Sequence, residues 1–274
     1  MIDMAYTYTK NDILNQLAEM QVPKNSIIIL HSSLNAVGKV EGGAEALLDA
    51  LIEHITADGG LLCVPAHTWH NIGKEITLDM ASNDQCLGAF ATVALNSKKG
   101  IRSENPIHSL VVFGDKKRAE EFIKDEPFIK TSTGKDSCHG KLYSENGYVL
   151  LMGVAQNRNT YLHAVAEILN LPDRMATSPL SVTVKRTDGE IINREMTLYS
   201  CSFTGDISQR FTKYDTAFRY HRCITDGFIG NAPTMLCDAK KMADTIALIF
   251  ERSGGIDPLK DEAAIPQKWY CNKD

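Results

Sequence analysis

Apolar residues in this chain recur with two periods, and each switch of period marks an element. Over residues 11–20, Ile13, Leu14 and Leu17 fall at helical spacing before Pro23 and Asn25 punctuate the chain. The β-branched run over 26–31 reads as a strand that leaves into the polar loop 32–38. Gly42 and Gly43 then open a helix whose residues Ala44, Leu47, Leu48, Leu51 and Ile55 form one apolar stripe. Gly59-Gly60 ends it, and 61–64 is the next strand. Strand, helix and strand in that order predict a βαβ unit with parallel strands and a right-handed crossover.

Further buried strands are expected over 110–113 and 148–154, separated by a helix over 116–124 and a glycine-punctuated loop over 131–140. A helix over 160–169 follows. Strands over 182–186 and 190–194 flank Thr187-Asp188-Gly189, whose Asp-Gly step signals a hairpin decorating the sheet. A last helix over 238–252 stops at Gly254-Gly255. The expected fold is α/β: a mixed, largely parallel central sheet flanked by helices, with an added antiparallel hairpin, in a single domain over 1–274.

Composition narrows the function classes. With 274 residues, 43% of them hydrophobic and 23% charged, the chain can bury one sizeable core, and no long linker divides it. Basic residues number 29 against 34 acidic, a net charge of -5, so no global positive field favours nucleic acid or anionic lipid. No apolar run approaches the roughly 18 to 20 residues of a membrane span, and the start MIDMAYTYTKND has neither a basic nor an apolar targeting region. A cytoplasmic location is expected. Seven cysteines, an odd number, suit reduced thiols better than a disulfide framework.

Three places carry candidate chemistry. The strand end His31-Ser32-Ser33-Leu34 with Gly42-Gly43 offers hydroxyls and backbone N–H groups that can cradle a phosphate or an acyl chain, although a glycine pair also opens helices with no ligand. His163 and Glu167 stand four apart on a helix, the spacing at which a carboxylate can orient a general base, and equally that of an ordinary surface pair. Pro65-Ala-His-Thr68 follows a strand, where open α/β sheets gather ligand groups. Cys138-His139, Cys201 and His221 with Cys223 make no CxxC or HExxH spacing and read as structural, with no metal expected.

The collinear set His31-Ser-Ser-Leu-Asn-Ala-Val-Gly38, Gly42-Gly-Ala44, Pro65-Ala-His-Thr68, Arg102-Ser103, Asn105-Pro-Ile-His-Ser109, Asp136-Ser137, Gly140-Lys-Leu-Tyr143, Val149 to Val154 and Asn159-Thr-Tyr-Leu-His163 resembles the aminoglycoside 3-N-acetyltransferase family, from about His31 to Ala232. The resemblance implies transfer of an acetyl group from acetyl-CoA to the 3-amino group of a deoxystreptamine ring, on a fold distinct from the commoner acetyltransferase superfamily. It also implies that His163 is the base and Thr68 a hydroxyl near the thioester. Cofactor contacts are implied for His31, Ser32, Ser33, Leu34, Val37, Gly38, Arg102, Ser103, Ser109 and Lys141. Two positions depart from the family pattern: Ala166 stands where a carboxylate is usual, leaving Glu167, Asp206 or Asp215 as the orienting acid, and Asn105 replaces the histidine of Arg-Ser-x-His-Pro.

A polycationic acceptor leads to the expectation of a cleft lined with Asp and Glu. Alternative readings are acetylation of another small amine, such as a polyamine, an amino sugar or a metabolite phosphonate intermediate, a CoA-binding or interaction protein without catalysis, and a hydrolase using Cys138-His139. The chain is expected as a monomer or homodimer, with its tail, including Trp269 and Tyr270, packed on its own body.

Overall fold

The computed structural model describes residues 6–199 and 204–271. Its centre is a seven-stranded sheet in the spatial order Ile224–Ile229, Ala232–Asp238, Tyr148–Met152, Ile27–Ser32, Leu61–Pro65, Leu110–Phe113, Ile101–Arg102. Ile27–Ser32 pairs in parallel with both Leu61–Pro65 and Tyr148–Met152, and the helix Gly43–Ile55 forms the expected crossover. Every other pairing in this sheet is antiparallel. The sheet is mixed as expected, but its parallel part is narrower than "largely" implied, being confined to the three central strands.

Those central strands are buried along nearly their whole length, because helices cover both faces. Alternation of side chains across the pleat divides them between two cores. Ile27, Ile29, Leu61, Cys63, Val149 and Leu151 face the helices Cys138–Ser144, Tyr161–Ile168 and Ala239–Arg252. Ile28, Leu30, Leu62, Val64, Leu150 and Met152 face Lys10–Glu19, Gly43–Ile55 and Ala89–Asn96. Each large side chain so buried is worth about 1.5–3 kcal/mol in area removed from water.

Local signals set the helix ends. Thr9 and Asp12 form a reciprocal capping box on Lys10–Glu19, and Asp238 caps Ala239–Arg252 by accepting from Lys241 N at 3.0 Å. The stretch 131–140 is loop only in its first part: Ser137 accepts from Gly140 N at 3.1 Å and starts the helix Cys138–Ser144. A Cβ at Gly140 would stand 2.2 Å from the Gly134 carbonyl oxygen, so the turn and helix press together only because this residue is glycine. Ala89–Asn96 and Asp215–Tyr220 are helices without a clear sequence signal.

The hairpin Leu180–Lys185 and Ile191–Met196 forms around Gly189, at φ +91°, but does not join the central sheet. It pairs instead with Leu78–Asp79 in a separate three-stranded sheet. The tail packs on its own body: Tyr270 is buried and its carbonyl bonds His221 Nε2 at 2.7 Å, while Trp269 is partly buried against the core. Among the described residues no helix is long and apolar enough to cross a membrane.

Candidate functional site

The three parallel strands end on the same edge, and a cleft of about 900 Å³ opens there, within the size range of small-molecule sites. One wall is the strand end His31 to Asn35. A second carries Pro65, His67 and Trp69, and a third carries His108. Val154 to Thr160 bring the helix of His163 to the floor, and Tyr199 with 205–208 closes the far side.

His163 is set by the turn that precedes its helix. Buried Asn159 donates to Gln156 Oε1 at 2.8 Å and accepts from Tyr161 N at 3.2 Å, which locks the first turn. The imidazole packs edge-on to Tyr199, 4.1 Å between centroids, and to Phe211, at 4.9 Å. Its Nδ1 is buried with no hydrogen-bond partner among the described residues. Burial pushes its pKa down to about 3; His108 and Arg174 add to the shift, and the Asp206 carboxylate opposes it. The ring is therefore neutral near pH 7, with Asp206 the nearby acid that favours its protonated form.

Glu167 is engaged elsewhere. Its carboxylate accepts from the hydroxyls of Thr131 and, at 3.2 Å, Thr133, and the loop passes so close that a Cβ on Gly134 would lie 2.9 Å from Oε1. Helical spacing does not bring it to the imidazole. Asp215 lies outside the cleft wall, half-buried beside Arg219, and burial raises its pKa. Asp206 lines the cleft, and bonds from Gln209 and Ser208 hold it below the ordinary carboxylate range although burial acts against them.

Of the residues assigned to the cofactor by resemblance, His31, Ser32, Ser33 and Leu34 line the cleft. The others do not. Val37 is fully buried, and Gly38, at φ +83°, packs against Asn231. Arg102 spends its guanidinium on the carbonyls of Ala66, Ser82 and Asp84, at 2.8–3.1 Å, and on Ser109 Oγ at 3.2 Å. Ser109 Oγ donates to Ala66 O at 2.6 Å, and Ser103 Oγ accepts from Leu110 N at 3.0 Å. Lys141 bonds Phe122 O and Asp125, both at 2.7 Å. These donors brace the loop after Leu61–Pro65 and the helix Cys138–Ser144. Thr68 belongs to the same frame, since its buried hydroxyl donates to Pro106 O at 2.9 Å.

Sequence reasoning missed a cluster of imidazoles. His67, His108 and His139 stand edge to face with centroids 4.7, 5.9 and 6.0 Å apart, and His67 and His108 reach the cleft. Asn105, in the place of the family's histidine, is fully buried and accepts from His108 N at 2.8 Å, so it shapes the turn that presents His108. Burial holds His31 at about 3 and His108 at about 4, and keeps His67 and His139 well below their ordinary value. Among the described residues no group is placed to hold a metal ion, and Cys201 lies outside them. Arg158, also missed, is exposed at the cleft wall and makes no ion pair among the described residues. Its position just after a parallel strand was its only sequence signal.

A cleft whose described lining offers one guanidinium outside any ion pair, free hydroxyls and unpartnered imidazole nitrogens can hold an anionic, hydrogen-bonding ligand. The sequence profile of the aminoglycoside 3-N-acetyltransferase family matches residues 29–251. The chain is similar to the SPbeta prophage-derived aminoglycoside N(3')-acetyltransferase-like protein YokD of Bacillus subtilis (strain 168), 26% identical over 175 residues, 57% of this chain and 63% of that protein. The match thus spans about three fifths of that relative's length. In fold it is similar to a mutant of aminoglycoside acetyltransferase AAC(3)-IVa in complex with a gentamicin, with TM-score 0.79 and 22% identity over 98% of this chain and 96% of that one. It is similar too to AAC-IIIb in its binary complex with CoASH, with TM-score 0.73 and 20% identity over 87% of this chain and 94% of that one. The fold is the one these acetyltransferases share, and the chain belongs to the aminoglycoside 3-N-acetyltransferase family.

Proposed function

We propose that this chain is an acetyl-CoA-dependent N-acetyltransferase whose acceptor is a ring-borne amine, of the kind of the 3-amino group of deoxystreptamine aminoglycosides. The observation that carries the reading is His163: a neutral imidazole without a protein partner at Nδ1, standing in the cleft at the ends of the parallel strands with Asp206 close by. Acetyl-CoA supplies an acyl carbon activated as a thioester. An ammonium has no lone pair to attack it, so the acceptor must react as the neutral amine, and a base must take a further proton from its nitrogen as the new bond forms. His163 takes that proton, and the Asp206 charge stabilises the imidazolium.

Arg158 is the group that pairs with the carrier's phosphates, and the His31 to Leu34 strand end forms the wall along its amide chain. Glu167 acts on the fold, by fastening the 131–134 loop. Relatives bearing aminoglycoside and CoASH in complex support both substrates. A cytoplasmic setting suits the unpaired cysteines.

Thiol release from acetyl-CoA, with and without kanamycin-type and gentamicin-type acceptors, tests the reading. Acceptor-dependent release that His163→Ala abolishes, with acetyl-CoA affinity retained, is the expected result. Turnover unchanged in His163→Ala removes the base from the mechanism. Binding of acetyl-CoA without release to any amine removes the enzyme reading altogether.

A further inference from the structure

His163 stands between two aromatic rings, and both rings are tied to a segment of the chain that lies beyond the family match. Tyr199 and Phe211 pack edge-on to the imidazole, with centroids 4.1 and 4.9 Å away. The matched region ends at residue 251, in the last turn of the helix Ala239–Arg252, and the chain then runs on through Asp257, Pro258 and Leu259, which are buried.

Tyr199 is held through a charge pair in the interior. Arg174, 1% exposed, donates from Nη2 to Asp257 Oδ1 at 2.7 Å, from Nε to Oδ2, and from Nη1 to the Tyr199 hydroxyl. The backbone follows the same path, since Met175 forms an antiparallel bridge with Tyr199 and Ala176 N donates to Leu198 O at 2.9 Å. Phe211 is held from the other side. It lies in the 3-10 helix Ile207–Tyr214, which Asp206 caps. Arg210 donates to the carbonyls of Leu259 and Lys260, both at 2.9 Å, and Lys213 to those of Pro258 and Asp261, at 2.9 and 2.7 Å. Asp257 is itself fixed by Leu259 N, which donates to Oδ1 at 2.9 Å.

A buried ion pair is weak evidence for stability, because apolar residues of similar volume often serve as well. Arginine does something here that they would not: its planar fork spans a carboxylate and a phenol at once and fixes their separation. A base that takes a proton along one line depends on such fixing, since a displacement of about 1 Å can cost on the order of a hundredfold in rate. Arg174 and Asp257 do not line the cleft, so their effect on the reaction runs through Tyr199 and Phe211.

We propose that residues 257–261, together with Arg174, form a positioning element for the general base, holding Tyr199 and the helix of Asp206 and Phe211 against His163. The inference rests on the acetyltransferase reading above and adds to it a segment outside the family match.

The test is Arg174→Lys, which keeps the cation whose field already acts on His163 and removes the fork, beside Lys213→Met, which frees the tail from the helix of Phe211. Two readouts are taken on the full chain: steady-state thiol release with acetyl-CoA and kanamycin, and the proton–nitrogen NMR spectrum of the imidazoles, with His163 assigned by its loss in His163→Ala. In Arg174→Lys, kcat should fall about tenfold or more while KM for acetyl-CoA stays within about twofold of the wild type. The His163 resonances should lose the shift that the Tyr199 ring imposes. Lys213→Met should show a smaller change of the same kind in both readouts, and it decides the matter if Arg174→Lys does not fold. Unmoved resonances with unchanged kcat overturn the positioning role while the acetyltransferase stands. A KM for acetyl-CoA that rises as much as kcat falls overturns it too, because the anchor would then shape the binding wall. A wild type that binds acetyl-CoA and releases no thiol overturns the acetyltransferase reading instead, and His163 resonances unmoved in the variants would still overturn the anchor.

Discussion

Neutral histidines in the cleft wall make acid stability a quantitative test of the structure. His31, His108 and His163 are held near 3–4, against an ordinary value near 6.5, because burial in the cleft wall penalises the imidazolium. The unfolded chain therefore binds more protons than the folded one, and the stability these groups provide is complete above pH 6.5 and is lost as pH falls toward their folded values. Between pH 7.5 and 5.5 each costs about 1.4 kcal/mol, so the three together remove about 4 kcal/mol from a total of typically 5–15. Glu126, Glu167 and Asp215, raised by burial, work in the opposite sense, which makes a difference between two proteins cleaner than either curve alone. His108→Leu removes one imidazole from the cluster. Urea unfolding followed by far-ultraviolet circular dichroism at pH 7.5 and 5.5 should show the variant losing about 1.4 kcal/mol less than the wild type over this interval. Equal losses in both proteins would mean that the cluster is hydrated enough to titrate normally, and the reasoning fails.

Other consequences follow from the same geometry. Arg158→Gln should raise KM for acetyl-CoA about tenfold while leaving acetyl-pantetheine, which lacks the nucleotide phosphates, unaffected; an equal effect on both would place the guanidinium elsewhere. Asp206→Asn should lower kcat about tenfold or more with its acid limb displaced, whereas Glu167→Gln should keep kcat and lose about 1 kcal/mol of stability in urea. The reverse pattern would restore Glu167 as the orienting acid. Arg102→Met strips donors from the Ala66, Ser82 and Asp84 carbonyls and should destabilise the fold by about 3 kcal/mol, with KM for acetyl-CoA unchanged once folded protein is selected.

The parallel heart of the fold was legible because burial on both faces demands unbroken apolar runs, and Ile27 to Leu30, Leu61 to Val64 and Val149 to Met152 supply them. The strands Ile224–Ile229 and Ala232–Asp238 were not, since the first is an edge strand whose Thr225, Asp226 and Phe228 are exposed and carry no clean alternation. The helix Cys138–Ser144 hid behind its glycines. Gly134 and Gly140 read as punctuation, yet here they let two backbone segments and Glu167 pack at distances a side chain would forbid.

For the site, the resemblance located the loops that meet but not which side chain in each faces the cleft. A chain leaving a strand end turns successive residues toward the void and toward the frame. His67 and Trp69 line the cleft, while Thr68 between them is tied to Pro106 O. His108 lines it, while Ser109 is tied to Ala66 O. Thr68 and Ser109 each stand one step from a residue that reaches the cleft. That single step changes the chemistry of the wall, replacing an expected set of hydroxyl and guanidinium donors with neutral imidazoles and one free arginine. Arg102 shows the consequence: its guanidinium is spent on the carbonyls of Ala66, Ser82 and Asp84 and on Ser109 Oγ, so it braces the wall and does not line it.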